Sequence, residues 1–318
     1  MKIPSYERLR KAIERRDRGL REKVCSLEEA VGLIPEGAHV AVGGCHYSRT
    51  PMALLWEIIR QRKTGLTFSR SITSTEGDLL LAGGVTRHII TSWFSAGVTW
   101  GVSRVMREFV QSGQARYEEW SHLSIGLRYR AGGMGVPFLP ARSMMGSGVA
   151  ERLPGLKTLT CPYTGEPLAL IPALNPDVAL IHVHRADPFG NAQIDGLPFM
   201  DADIALAANQ VILSAERIVH PEQIRRAPDR TFLSFLCVEA VVEAPFGSMP
   251  HECYGLYEPA FGHIEEYVKR IASAGTEGAR AYLEEWCHGL QSWEDFLARL
   301  GAKTLLEAAR AGSEVNNA

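Results

Sequence analysis

The chain has no Cys-x-x-Cys pair. Its six cysteines, Cys25, Cys45, Cys161, Cys237, Cys253 and Cys287, stand singly along 318 residues. Neither a zinc knuckle nor a dithiol redox motif is therefore written in it. Reduced, mostly buried thiols in a cytoplasmic protein are the expectation. Neither sign of charge dominates: 34 Lys and Arg against 36 Asp and Glu leave a net charge of −2. Without a basic stripe there is no nucleic-acid surface, and that class of partner is set aside. No apolar run reaches the roughly 18 residues that a membrane-spanning helix needs. The first residues carry no apolar signal region either. A soluble, cytoplasmic protein with no membrane contact is expected. Internal repeats and low-complexity segments are also missing.

What is present is core-forming sequence, 46% of it hydrophobic, enough for one large α/β domain or two small ones. Residues 5–23 are dense in charge with a thin apolar stripe, which predicts an exposed N-terminal helix. Ser26-Leu27-Glu28-Glu29 is a capping box that starts a short helix. Strands are expected at 39–42, 66–68 and 88–93, alternating with helices at 52–62, 78–82 and 102–112. This βαβα rhythm predicts a mostly parallel sheet with helices on its faces. The stretch 130–168 is rich in Gly and Pro and predicts an irregular region beside the active site. The rhythm resumes with strands at 168–171, 178–183, 210–214 and 238–242. Helices follow at 258–272, 277–286, 292–299 and 303–311. The fold class is α/β, divided as a charged N-terminal helix (1–25), one α/β domain (26–272) and a C-terminal helical appendage (273–318).

Two loops stand out. Residues 177–191 run from a buried strand into Arg185-Ala186-Asp187-Pro188-Phe189-Gly190-Asn191. Side chains just past a carboxyl edge are where open α/β sheets bind ligands. His182 and His184 share one face of that strand. They offer a metal pair with Asp187 as third ligand, or two hydrogen-bonded core histidines, the better reading. Asp187, Gly190 and Asn191 are turn formers, and Asn191 also borders the acyl site. The other loop is Gly43-Gly44-Cys45-His46-Tyr47-Ser48-Arg49-Thr50-Pro51. Its glycines let backbone approach a ligand closely. The helix that begins at Pro51 points its amides at the loop. Ser48 and Arg49 are candidate ligands for a substrate carboxylate. Cys45 reads as a buried thiol, since nothing in the sequence lowers its pKa.

Further blocks run in order along the chain: 34–44 with Pro51-Met52-Ala53-Leu54-Leu55, then 77–85, Glu118-Glu119-Trp120-Ser121 with 130–140, Asn175-Pro176-Asp177-Val178-Ala179-Leu180-Ile181-His182, and 241–257. Together they resemble the α subunits of family I CoA-transferases over roughly residues 26–272. The resemblance implies an open α/β sandwich of the CoA-transferase type. It implies no permanently bound cofactor and no metal, with a coenzyme A thioester as substrate. It implies that the partner is a homologous β subunit. The exchange of CoA it implies is between an acyl-CoA, dicarboxylic in the first instance, and a free carboxylic acid.

In that family a glutamate attacks the thioester, and in the heteromeric members the β subunit supplies it from a Ser-Glu-Asn-Gly type sequence. This chain has Ser74-Thr75-Glu76-Gly77 instead. Glu76 is thus a candidate nucleophile, or a plain loop residue, and Ser74 a candidate substrate contact. Gly132 and Gly133, in the third block, are read as backbone facing the substrate. Relatives that open steroid rings by hydrolysis carry a catalytic glutamate near the Glu118–Ser121 block. Here His122 falls at or beside that position, with Glu119 the nearest carboxylate upstream. His122 is either a general base or proton donor, or a helix-start residue that meets the partner chain. Hydrolase, lyase and non-catalytic scaffold are the alternatives to transferase.

Overall fold

The structure is a computed structural model that describes residues 5–17, 19–97, 99–153 and 155–314. Residues 1–4 and 315–318 of the two terminal segments lie outside the described residues. Seven parallel strands form the central sheet: β1 (His39–Val42), β2 (Leu66–Arg70), β3 (Thr86–Thr91), β4 (Arg116–Glu119), β5 (Val178–Val183), β6 (Gln210–Ala215) and β7 (Val238–Glu243). Their order is β7-β6-β5-β1-β2-β3-β4. The chain works outward from β1 to one edge, returns, and works outward from β5 to the other.

Alternation along the strands builds two cores, one on each face. Val40, Val42, Leu180 and Ile212 pack against the helix Met52–Arg60 and the C-terminal helices. Ala41, Ala179, Ile181 and Leu213 pack on the opposite side, with Ile125, Tyr129 and Ile204. Each fully buried branched side chain stabilises by about 1.5–3 kcal/mol, and the central strands are buried on both faces.

The C-terminal helices join the first of these cores. Trp286, Trp293 and Phe296 are buried there with Trp56, and Trp56 Nε1 donates to Trp286 O at 2.8 Å. The expected break between 272 and 277 falls at Gly275, where φ is 57° inside the helical span Phe261–Leu283. A Cβ there would run into the Glu108 carboxylate. That carboxylate instead accepts from Thr276 N at 2.9 Å and Thr276 Oγ1 at 2.7 Å and caps the second half. The N-terminal helix is Tyr6–Glu14.

Three readings change. The strand expected at 168–171 exists as Pro167–Pro172, but in a separate antiparallel sheet with Phe138–Ala141 and Lys157–Thr160. The region 130–168 is consequently more regular than its glycines and prolines predicted. β4 was not expected as a strand. It is an edge strand with three charged residues in four, Arg116-Tyr117-Glu118-Glu119, and edge strands are where charge is tolerated.

Candidate active site

All seven strands are parallel, so their carboxyl ends share one edge. The order reverses between β1 and β5, and such a reversal opens the crevice where ligands bind. In this chain side chains fill it.

The turn that leaves β1 is gripped at one peptide unit. Gly43 O accepts from Arg70 Nε at 3.2 Å, and Gly44 N donates to Asp201 Oδ1 at 2.7 Å. Arg49 Nη1 meets Asp201 Oδ2 at 2.7 Å and His182 O at 3.1 Å, and Nη2 meets Leu197 O at 2.8 Å. The Arg49 and Asp201 side chains are 1% and 0% exposed. Arg49, expected to receive a substrate carboxylate, holds a carboxylate of its own chain. The reason is its place: a guanidinium aimed at β5, out of water, must be paired. The glycines follow the same logic. A Cβ on Gly43 would press on Asp201 Oδ1 at 3.0 Å, and one on Gly44, where φ is 69°, would run into Ser48 O. They admit Asp201 and close the turn, so close approach of a ligand is not what requires them. Ser48 is half-buried, and its backbone closes the turn on Cys45 at 2.9 and 3.0 Å. Burial raises the Cys45 thiol above its ordinary pKa.

Glu76 is likewise internal. Its Oε1 lies 2.5 Å from Arg70 Nη1 and accepts from Ser74 N at 2.9 Å. Both charged side chains are fully buried. Glu76 Oε2 has no hydrogen-bond partner among the described residues, but the side chain is buried away from the open edge, which speaks against the nucleophile reading of Glu76. Ser74 is buried beside it and serves the same turn. Arg70 Nη2 also donates to Thr50 Oγ1 at 2.9 Å. His251, unforeseen from sequence, joins Thr50 Oγ1 at 2.7 Å to Thr75 Oγ1 at 2.8 Å. Burial pushes this ring well below the usual histidine pKa.

The stretch 177–191 proves structural. His182 pairs with Ser214 Oγ at 2.9 Å and Glu216 Oε1 at 2.7 Å. His184 pairs with Tyr254 O at 2.8 Å and accepts from Asp195 N at 3.1 Å. Burial pushes His184 down to about 4, so it is neutral near pH 7. His182, Glu216 and Cys253 bring ligand-type atoms within 4.8 Å of one another. Glu216 is already engaged by Phe246 N at 2.8 Å, Gly247 N at 3.2 Å and the Tyr257 hydroxyl. The grouping is a satisfied polar network. Asp187 is no member of it. Its Oδ1 takes the amides of Phe189, Gly190 and Asn191 at 3.0, 2.9 and 2.9 Å. Asn191 Nδ2 donates to Asp187 Oδ2 at 2.7 Å and its Oδ1 accepts from Phe235 N at 3.1 Å. Asn191 therefore fixes the turn, a correction to its substrate-binding reading.

Gly132 and Gly133 lie at the other end of the molecule. They end the helix His122–Met134, which runs from the carboxyl edge to the amino edge. A Cβ on Gly132 would run into Leu174 O, and one on Gly133 would press on Leu206 Cβ at 3.0 Å. They let this helix cross Asp201–Ala207 closely, away from the carboxyl edge where the strands end.

His122 and Glu119 remain at the open edge. Glu119 ends β4 and is exposed. Ser121 caps the helix by accepting from Ser124 N at 3.1 Å. His122 follows it, exposed, with Nδ1 3.3 Å from Ser92 Oγ. Ser92, just past β3, has Oγ 2.5 Å from Ser71 O.

Sheet order, the glycine turn and this polar edge define an open α/β enzyme chain of the CoA-transferase architecture. The family profile described as coenzyme A transferase matches residues 24–244; the chain belongs to that family. It is 34% identical to the α subunit of glutaconate CoA-transferase of Acidaminococcus fermentans, over 89% of this chain and 93% of that one. The crystal structure of glutaconate coenzyme A-transferase from Acidaminococcus fermentans superposes with a TM-score of 0.85 at 33% identity, covering 90% and 95% of the two chains. The cholesterol ring-cleaving hydrolase IpdA subunit of Rhodococcus jostii is 30% identical over 87% of this chain and 91% of that one. An uncharacterized protein of Archaeoglobus fulgidus is 38% identical over 93% of this chain, which spans 66% of that longer protein.

Proposed function

We propose that the chain is the α subunit of a heteromeric CoA-transferase that moves CoA between an acyl-CoA and a free carboxylic acid. A homologous β subunit supplies the nucleophilic glutamate. One observation carries this reading: the carboxylates at the glycine turn, Glu76 and Asp201, are each buried against a guanidinium. A nucleophilic carboxylate must be positioned and free to attack, and neither of these is. In this reading the partner brings the nucleophile, and this chain contributes the edge it works against, exposed Glu119 included. A dicarboxylic acyl group rests on similarity to the glutaconate enzyme, since Arg49 is not available as its receptor.

A second reading, an acyl-CoA hydrolase or lyase on the same scaffold, is favoured by His122. An exposed histidine at the carboxyl edge suits a proton-transfer role, and the ring-cleaving hydrolase subunit is among the similar chains.

The test is CoA exchange between an acyl-CoA and acetate, measured with the chain alone and with its partner. The expectation is activity only for the complex, and CoA transfer that requires the added acid. Full exchange by the isolated chain would defeat the two-subunit reading. Thioester loss or ring opening that needs no acceptor acid would put the second reading first.

A further inference from the structure

A count of protons fixes which nitrogen of the neutral His122 ring carries the hydrogen. Ser92 Oγ lies 2.5 Å from Ser71 O. A carbonyl oxygen only accepts, so the single hydroxyl proton of Ser92 is spent on it. Only lone pairs of Ser92 Oγ are left for His122 Nδ1, 3.3 Å away. The proton of that second bond must then come from the ring. The reverse assignment, Ser92 donating to His122, would leave two oxygens 2.5 Å apart with no proton between them. Which nitrogen carries the proton in a neutral imidazole is set by the bond the other makes. Whenever the His122 ring is neutral, Nδ1 therefore carries it and Nε2 keeps its lone pair. The donor chain is anchored at its far end, because Ser71 O also accepts the Ser92 amide at 3.1 Å. The ring itself is the first residue of the capped helix His122–Met134.

We propose that Ser92 is a positioning residue that sets His122 as the Nδ1–H tautomer, so that His122 Nε2 offers a hydrogen-bond acceptor to an N–H donor of the bound ligand. A CoA thioester carries such donors in the amides of its pantetheine arm. The proposal rests on reading this edge as the acyl-CoA site. It adds the polarity of the contact and the residue that sets it.

The experiment uses the chain in complex with its partner, with ¹⁵N-labelled histidine, and His122→Gln to identify the ring signals. Wild type is expected to show Nδ1–H at His122 and Ser92→Ala to show Nε2–H. In Ser92→Ala the KM for acyl-CoA should rise about tenfold while kcat stays within about twofold, the scale of one reversed hydrogen bond. Ser92→Thr, which keeps the hydroxyl, should restore both tautomer and KM. An Nε2–H ring in wild type overturns the proposal. So does a Ser92→Ala enzyme with altered tautomer and unchanged KM, or a Ser92→Thr enzyme that keeps the tautomer and is not rescued. If the wild-type complex has no acyl-CoA turnover, the functional reading fails; the tautomer switch between wild type and Ser92→Ala still upholds the positioning role of Ser92.

Discussion

Arg49 and Asp201 form a fully buried ion pair, 2.7 Å long, whose carboxylate also takes the Gly44 amide. Removing one member of such a pair leaves the other charge in low dielectric without compensation. Asp201→Ala should therefore destabilise the fold by about 3–5 kcal/mol, read from denaturant midpoints. Arg49→Ala should lose activity equally toward acidic and neutral acyl groups, because the guanidinium serves the turn. A selective loss for acidic substrates would return Arg49 to the ligand.

Gly132→Ala tests where the glycines act. The added methyl meets Leu174 O and lies 3.0 Å from Ala207 Cβ, so overpacking should cost about 1–3 kcal/mol. The enzyme that still folds should bind acyl-CoA as wild type does. A raised KM with unchanged melting would mean that the glycine touches substrate after all.

Much of the fold was legible because it is local. Periodicity over 52–62 and the capping box at Ser26 needed only neighbours in sequence, and both are observed. The break expected between 272 and 277 is observed too, at Gly275. The candidate residues were legible in type and illegible in role. The turn 43–51 was visible as a ligand-type loop, but the partner that decides Arg49 is Asp201, 152 residues on. No spacing rule reaches that far. Glu76 misled for a different reason: Arg70 lies only six residues away but ends the preceding strand, and only the fold turns the two side chains together. Ser92 and His251 carried no signal, as lone polar residues in sequence.

Asp78 gives a pH prediction with a definite sign. Its carboxyl is fully buried, with Oδ1 2.5 Å from Ser103 Oγ and no partner at Oδ2 among the described residues. Burial raises it from 3.8 to about 8. Between those values the folded chain keeps a proton that the unfolded chain has lost. This group's contribution to stability is therefore complete below about pH 4 and fades as pH rises through about 8. Asp78→Asn cannot ionise. Its Tm relative to wild type should climb steadily from pH 5 to pH 8.5 in a buffer series. A Tm difference that stays flat across the series would mean that Asp78 is ionised in the folded protein.

His122→Ala separates the two enzyme readings. In a transferase the partner's glutamate does the bond making, and a carboxylate nucleophile needs no separate base. The mutant complex should then keep most of its kcat and show its defect in the KM for acyl-CoA. In a hydrolase or lyase the ring must move a proton, and losing a general acid or base costs about 10²–10⁴ in turnover. Glu119, the exposed carboxylate at the end of β4, would be the nearest substitute base, so Glu119→Gln in the same background shows whether it rescues. Steady-state kinetics on assembled complexes, with and without an acceptor acid, decide the matter. A complex that holds its acyl-CoA affinity yet loses turnover by more than about a hundredfold would set the transferase reading aside and leave the proton-transfer chemistry of His122 as the function of this edge.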